Sequence, residues 1–416
     1  MQYYYTCVKC TPIIYTKREN ISQVEQKSIY CSLDPINMDK RAVLAVIVVI
    51  AVVVVGVAGY VFTRGDSSDA IQYTKVDPSK QLDSIKEGTI DAGVLWEPYA
   101  TAAEMSGGAE VLVWSEEFWP GHPCCVVAVD DKFAQKNPDA IIAFLAAQIK
   151  ALNWINEAMD ENSPNHQALI DITKDHTGLK NDSEIMASLS HMELTYEMNN
   201  NVQDGEKGFN DWLEYYVDEF INQEIISEKN LKARGCNNSK EFIDKIVNGD
   251  YLESAKELGE DYAGLSTQVT MRIGQLNGDL HQLAVVVAMS PLAGEDGKSM
   301  LEQFNINAVS GTKYPSGKDV MTAFIGGELD IAYVGSPPVI QHLAQHTDLG
   351  VSIIACANTN GSAVIVKEGM FDEGMTLEEK IQGLKGKVVG IPMGSIQQLM
   401  LLYLGAQYDV KVSSWV

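Results

Sequence analysis

The chain changes its hydrophobic pattern part-way along. From Pro138 to about Leu258 the apolar residues recur at helical spacing. Asn137-Pro138-Asp139 offers a cap, a first-turn proline and an early acid, and IIAFLAAQIKALNWI behind it carries one apolar stripe. Ser163-Pro164 opens a second helix, and GFNDWLEYYVDEFINQEII (208–226) is amphipathic with an acidic face. The aromatics of these helices read as core. Residues 269–416 alternate short β-rich runs with helices instead: VTMRIGQL (269–276), LDIAYVG (329–335), VSIIACA (351–357), SAVIVKE (362–368) and KVVGIPM (387–393). Residues 71–130 do the same with TIDAGVL, EVLVW and CCVVAV. Strands alternating with helices predict an α/β fold whose parallel sheets are covered on both faces.

Two stretches repeat one plan. PSGKDVMTAFIGGELDIAYVGSPP (315–338) and PSKQLDSIKEGTIDAGVLWEPY (78–99) each run Pro-Ser, helix, glycine (Gly327, Gly88), then an aspartate, Asp330 or Asp91, in a strand. Each strand ends in a proline-containing loop. Two copies of a helix–strand–loop unit predict two similar α/β lobes.

Ala42 to Phe62 is a run of 21 residues without a charge, long enough to cross a bilayer as a helix. Lys40 and Arg41 before it place the N-terminal side in the cytoplasm and everything after residue 64 outside. The length favours a retained anchor over a cleaved signal peptide, for which Val57-Ala58-Gly59 would be the cleavage site. Residues 1–41 form a separate N-terminal segment. Met38-Asp39-Lys40-Arg41 reads as a natural start, which makes residues 1–37 an over-extended beginning.

Composition narrows the function. The chain has 416 residues and a net charge of −25, a surface that repels nucleic acid, which is set aside as a partner. Seven cysteines in this length are not a disulfide framework. Cys7-Val8-Lys9-Cys10 lacks a second pair at finger spacing, and Cys124–Cys125 is expected to point its thiols apart along a strand. No phosphate-binding loop, G-x-S-x-G elbow, H-E-x-x-H or G-x-G-x-x-G stands in the chain. His342 and His346, four apart, lack a third ligand and read as an exposed pair. No catalytic residue, metal or cofactor is expected.

What remains is a set of polar loops between strands and helices. They are Asn277-Gly278-Asp279, Gly335-Ser336-Pro337, Asn358 with Asn360-Gly361-Ser362, and Gly394-Ser395. In α/β sheets ligands settle at the carboxyl ends of strands, where the N–H groups opening the next helix favour negative charge without Lys or Arg. Trp96-Glu97 and Trp119, with His122 nearby, are expected to supply an apolar wall and a titratable contact.

GELDIAYVGSPP, ANTNGSAVIV, LKGKVVGIPMGSIQ, EGTIDAGVLWEPYA and WPGHPCCVVAV together resemble the substrate-binding proteins of ABC importers in the nitrate/sulfonate/taurine group. The resemblance covers roughly residues 71–160 and 269–416. It implies a type II periplasmic-binding fold, two α/β lobes joined by two crossover strands, with a small anionic or polar ligand in the cleft. It also implies an ABC permease and a separate ATPase subunit as partners. Thiamine-pyrimidine synthases share this fold and are enzymes, a rival reading, although Cys124–Cys125 does not reproduce their cysteine-rich motif. The order of the two parts is swapped relative to the family, as in a circular permutation or a rearranged gene. With SAVIVKE and CCVVAV as crossovers, one lobe would span 124–366, including the helical segment 138–258. The other would combine 70–123 with 367–416, bringing Val416 beside Ala70.

Overall fold

The computed structural model describes residues 69–415 apart from 204 and 259–261. The apolar run 42–62, the N-terminal segment with its Cys-x-x-Cys, and Val416 lie outside the described residues. Among those described, no helix is long and apolar enough to cross a membrane.

Two mixed sheets organise the chain. The five-stranded sheet contains β4 (Cys125–Asp130), β6 (Val269–Leu276), β7 (Ile306–Tyr314), β8 (Ile331–Gly335) and β9 (Val351–Cys356), in the order β7-β6-β8-β4-β9. The six-stranded sheet contains β1 (Ala70–Lys75), β2 (Ala92–Trp96), β3 (Ala109–Trp114), β11 (Ser362–Lys367), β12 (Val388–Ile391) and β13 (Lys411–Ser414), in the order β13-β1-β12-β2-β11-β3. Setting β13 aside, the two orders correspond position by position. In each, one strand runs antiparallel to both neighbours: β4 between β8 and β9, β11 between β2 and β3. A short ribbon pairs β5 (Met192–Leu194) with β10 (Asn358–Asn360). β13 lies parallel to β1, with Lys411 opposite Ala70 and Ser414 opposite Tyr73.

The repeated plan occupies equivalent places. Asp330 precedes β8 and its carboxylate accepts from the Arg272 backbone N–H of β6 at 2.8 Å. Asp91 precedes β2 and accepts from the Val388 backbone N–H of β12 at 2.9 Å. Each aspartate thus ties its strand to the parallel neighbour through a charge-assisted bond. Val126, Val127 and Val129 of β4 are fully buried, as a strand covered on both faces requires. Each such side chain is worth about 1.5–3 kcal/mol on burial.

The helical stretch holds Pro138–Ala158, His166–Thr177, Asp182–Ser190, Phe209–Asn222 and shorter helices after them, with β5 among them. The aromatic face of Phe209–Asn222 is core: Phe209, Trp212, Tyr216 and Phe220 are buried. Two capping expectations are corrected. The Asn137 side chain donates back to the Phe133 carbonyl instead of capping the next helix. The helix after Ser163-Pro164 starts only at His166. His342 is not exposed, because its helix Ser336–Gln345 packs it inward and its Nδ1 meets the Pro338 carbonyl at 2.8 Å.

The candidate functional site

The chain passes between the sheets twice, once between β3 and β4 and once between β9 and β11. These crossing segments pair with each other. Cys124 N–H donates to the Asn358 carbonyl (3.2 Å), and Asn360 N–H to the His122 carbonyl (3.2 Å). Asn358 Oδ1 accepts from Cys125 N–H at 2.9 Å, and Asn360 Oδ1 from Gly121 N–H at 3.0 Å. Asn360 and Gly361 both take positive φ, 62° and 81°. A Cβ at Gly361 would clash with His281 Nε2, so only glycine lets the backbone approach the imidazole.

Loops from both sheets meet over one small cleft of about 30 Å³. The six-stranded sheet contributes Trp96 and the segment Pro392–Gln397, and the five-stranded sheet contributes Asp279, His281, Ser316 and Gly335, with Cys124 and Cys125 at the crossing. Asp279, His281, Cys124 and Cys125 are each at least 97 % buried. The Cys124 thiol lies 3.5 Å from His281 Nδ1, and Cys125 Sγ lies 3.9 Å from Asp279 Oδ2. The two thiols converge within 4.8 Å of each other, against the expectation that they point apart. β4 begins only at Cys125, so Cys124 is outside the pleat that separates neighbouring side chains.

The cluster shifts its own protons. The Cys125 thiol donating to Cys124 holds Cys124 well below the usual thiol range, with His281 helping, and Cys125 is correspondingly raised. Burial lifts Asp279 to about 6. Burial opposes protonation of His281, yet Cys124 and Asp279 raise it to about 9. Glu97, fully buried beside the cleft, is pushed up to about 7 by burial despite bonds from the Thr101 hydroxyl (2.6 Å) and N–H (3.1 Å).

The predicted site residues divide. Trp96, Asp279, Gly335 and Ser395 line the cleft together. Trp96 is buried, and its indole N–H has no partner. Gly278 and Asn277 lie at its edge, where the Tyr99 hydroxyl donates to the Asn277 carbonyl. The expected hydroxyl donors turn inward. Ser336 donates to the Pro123 carbonyl, Ser395 to the Pro392 carbonyl, and Ser362 accepts from Gln397. Ser336 and its neighbour Pro337 are buried in the first turn of their helix, whose N-cap is Gly335. Gly394 takes positive φ ahead of the helix Ile396–Gln407, and Ser395 does not cap that helix with its side chain. Asn358, Asn360 and Gly361 brace the crossing segments.

Trp119 and His122 go elsewhere. Trp119 packs against Trp212 and Tyr403, with ring centroids 5.5 and 5.0 Å away, and lines a separate pocket of about 730 Å³. His122 donates through Nδ1 to the Trp119 carbonyl, and burial holds it below the usual imidazole range. Sequence reasoning missed His281. Its signal was a histidine two residues beyond an aspartate at the carboxyl end of a strand.

The profile of the NMT1-like family matches residues 58–172 and 284–414, more than half of the chain. The chain belongs to the NMT1-like family. That match upholds the resemblance read from the five strings. The NMT1-like protein is 30 % identical over 103 residues to the “Putative aliphatic sulfonates-binding protein” of Bacillus subtilis, covering 24 % of this chain and 30 % of that protein. It is 30 % identical over 81 residues to the nitrate import ATP-binding protein NrtC of Synechococcus elongatus, covering 20 % of this chain and 12 % of that one. The matched stretches therefore span less than a third of these relatives' own lengths. Among solved structures, the periplasmic binding protein AgaA in complex with agropinic acid is similar at 9 % identity and a TM-score of 0.31, covering 75 % of this chain and 58 % of that one. Asp279 and His281 fall between the two matched stretches, whereas Cys124 and Cys125 fall within the first.

Proposed function

We propose that this chain is the solute-binding component of an ABC importer, closing its two lobes around a small polar or anionic molecule for delivery to a permease with a separate ATPase. One observation carries the reading: loops from two sheets, joined by two mutually paired crossing segments, converge on one cleft. That geometry allows hinge rotation with the segments 115–124 and 357–361 as the pivot. At about 30 Å³ the cleft accepts a water-sized guest, so a larger ligand enters when the lobes separate. The relatives are named for aliphatic sulfonates and for nitrate import, which supports a sulfonate, nitrate or taurine-like ligand. With Ser336 and Ser395 already engaged, the ligand-facing donor is the Trp96 indole N–H. The apolar run 42–62 would anchor the binding lobes at the outer face of the cell membrane. The swapped order fits a circular permutation; β13 lies beside β1 but parallel to it, with Lys411 and not the chain end opposite Ala70, so a link restoring the family order would have to run back along the strands.

The test is a thermal-shift and calorimetry panel of ethanesulfonate, taurine, nitrate and bicarbonate against the full chain. A compound bound only by the folded state stabilises it by about 2.7 kcal/mol at 100 times its Kd. At least one member should do so with one molecule per chain. A flat response to every compound would overturn the assignment of ligand class.

A further inference from the structure

Three side chains at the floor of the cleft bring their donor atoms together at the spacing of a coordination shell, with a buried carboxylate beside them. We propose that Cys124, Cys125 and His281, with the Asp279 carboxylate beside them and the fourth position left to solvent, form a binding site for a thiophilic cation, Zn²⁺ by the chemistry of the set. The site goes beyond the importer reading and stands or falls independently of it.

The donor atoms of Cys124, Cys125 and His281 all lie within 4.8 Å of one another. A tetrahedral zinc with bonds of about 2.3 Å to sulfur and about 2.0 Å to nitrogen or oxygen sets sulfur and nitrogen about 3.5 Å apart. Cys124 Sγ and His281 Nδ1 are 3.5 Å apart. His281 Nδ1 also stands 3.4 Å from Asp279 Oδ1. Cys125 Sγ lies 3.9 Å from the other carboxylate oxygen, Oδ2, so Asp279 flanks the three donors and can accept from a water completing the shell. The cavity these groups line has room for one ion.

The imidazole is held as a ligating histidine is held. His281 Nε2 lies 3.0 Å from the Gly361 carbonyl, which can only accept, so Nε2 carries the proton and the lone pair of the neutral ring is at Nδ1. The Asp279 carboxylate is positioned by His281 N–H at 2.9 Å and by Gln282 Nε2 at 3.3 Å.

A nucleophilic triad does not describe these atoms. In a triad the carboxylate and the nucleophile address opposite ring nitrogens. Here the thiol and the carboxylate both face Nδ1 while Nε2 is bound to backbone. Thiolate with imidazole selects Zn²⁺ or Cu⁺ over the hard ions Mg²⁺ and Ca²⁺. On binding, the protons held by the thiols and by His281 Nδ1 leave to solvent, the sulfurs become thiolate ligands and the imidazole becomes neutral.

The test uses the full chain, reduced and stripped of metal, carrying Cys7→Ser, Cys10→Ser and Cys31→Ser so that the N-terminal thiols cannot contribute. Co²⁺ is the probe. It should bind one per chain with a thiolate-to-cobalt charge-transfer band and strong tetrahedral visible bands, and Zn²⁺ should displace it. Cys124→Ser and Cys125→Ser should each abolish the charge-transfer intensity assigned to their sulfur, and Asp279→Asn should weaken binding about 10–100-fold. Cys236→Ser should change nothing. X-ray absorption of the zinc-loaded triple-serine chain needs no change at the site. It should show two sulfurs at about 2.3 Å with nitrogen and oxygen at about 2.0–2.2 Å. A shell of oxygen and nitrogen alone, a cobalt spectrum lacking thiolate character, or one that survives loss of both Cys124 and Cys125 would overturn the site.

Discussion

Two cavities border the crossing segments, and they differ in every respect that matters for function. The larger, about 730 Å³, is walled by Trp119, Trp212, Tyr215 and Tyr403, and Lys207 lies over the Trp212 and Tyr215 rings at 5.7 and 5.1 Å. Its cation-attracting faces already have a cation from the chain itself. The smaller, about 30 Å³, gathers a carboxylate, an imidazole, two thiols and an unpartnered indole N–H from loops of both sheets. The proposed site rests on convergent polar groups at the carboxyl ends of strands, with the larger, aromatic cavity treated as packing, a choice that measurements on the two tryptophans decide.

The comparison can be broken most forcefully at its two tryptophans. Trp119→Ala removes a fully packed indole and should cost about 3–5 kcal/mol in urea unfolding, while the ligand affinity of the folded chain stays unchanged. Lost affinity at undiminished stability would place Trp119 in the binding site after all.

Glu97, beside the cleft, offers a pH test. Its folded-state value of about 7 lies above the ordinary 4.5, so the folded chain holds the extra proton. The stability it contributes is fully present below about pH 4.5 and is lost as pH rises through 7. Glu97→Gln, which stays neutral, should therefore gain roughly 3 kcal/mol relative to the parent between pH 4.5 and 8. A difference between the two that is flat with pH would mean that Glu97 is ionised in the folded chain.

The smallest effect sharpens the contrast. Trp96→Phe keeps the ring but deletes the unpartnered N–H, and should weaken the ligand by one hydrogen bond, about 0.5–1.5 kcal/mol. Thermal stability should change little, because no bond within the chain is lost. Calorimetry showing unchanged affinity would remove the indole from the site.

Much of the fold was legible because strands covered on both faces announce themselves as apolar runs. VTMRIGQL coincides with β6, and SAVIVKE and CCVVAV lie within a residue of β11 and β4. β7 escaped notice because INAVSGTKY is broken by Ser310-Gly311-Thr312-Lys313, and β1 because AIQYTK mixes polar and apolar positions. The loops of the cleft were legible from strand-to-helix order. The direction of each hydroxyl was not, since the partners of Ser336 and Ser362, Pro123 and Gln397, are distant in sequence. Trp96 and Trp119 look alike in their proline-bounded loops. Trp212, Tyr215, Tyr216 and Tyr403, also distant in sequence, draw Trp119 away from the cleft.

Hydrogen exchange on the full chain, with and without the tightest binder from the anion panel, tests the shared cleft most directly. Protection should appear together in segments of both sheets, 96–99 and 392–397 on one side and 276–281 and 335–338 on the other, and leave 205–215 unchanged. Protection confined to one sheet, or centred on the aromatic pocket, would contradict the account.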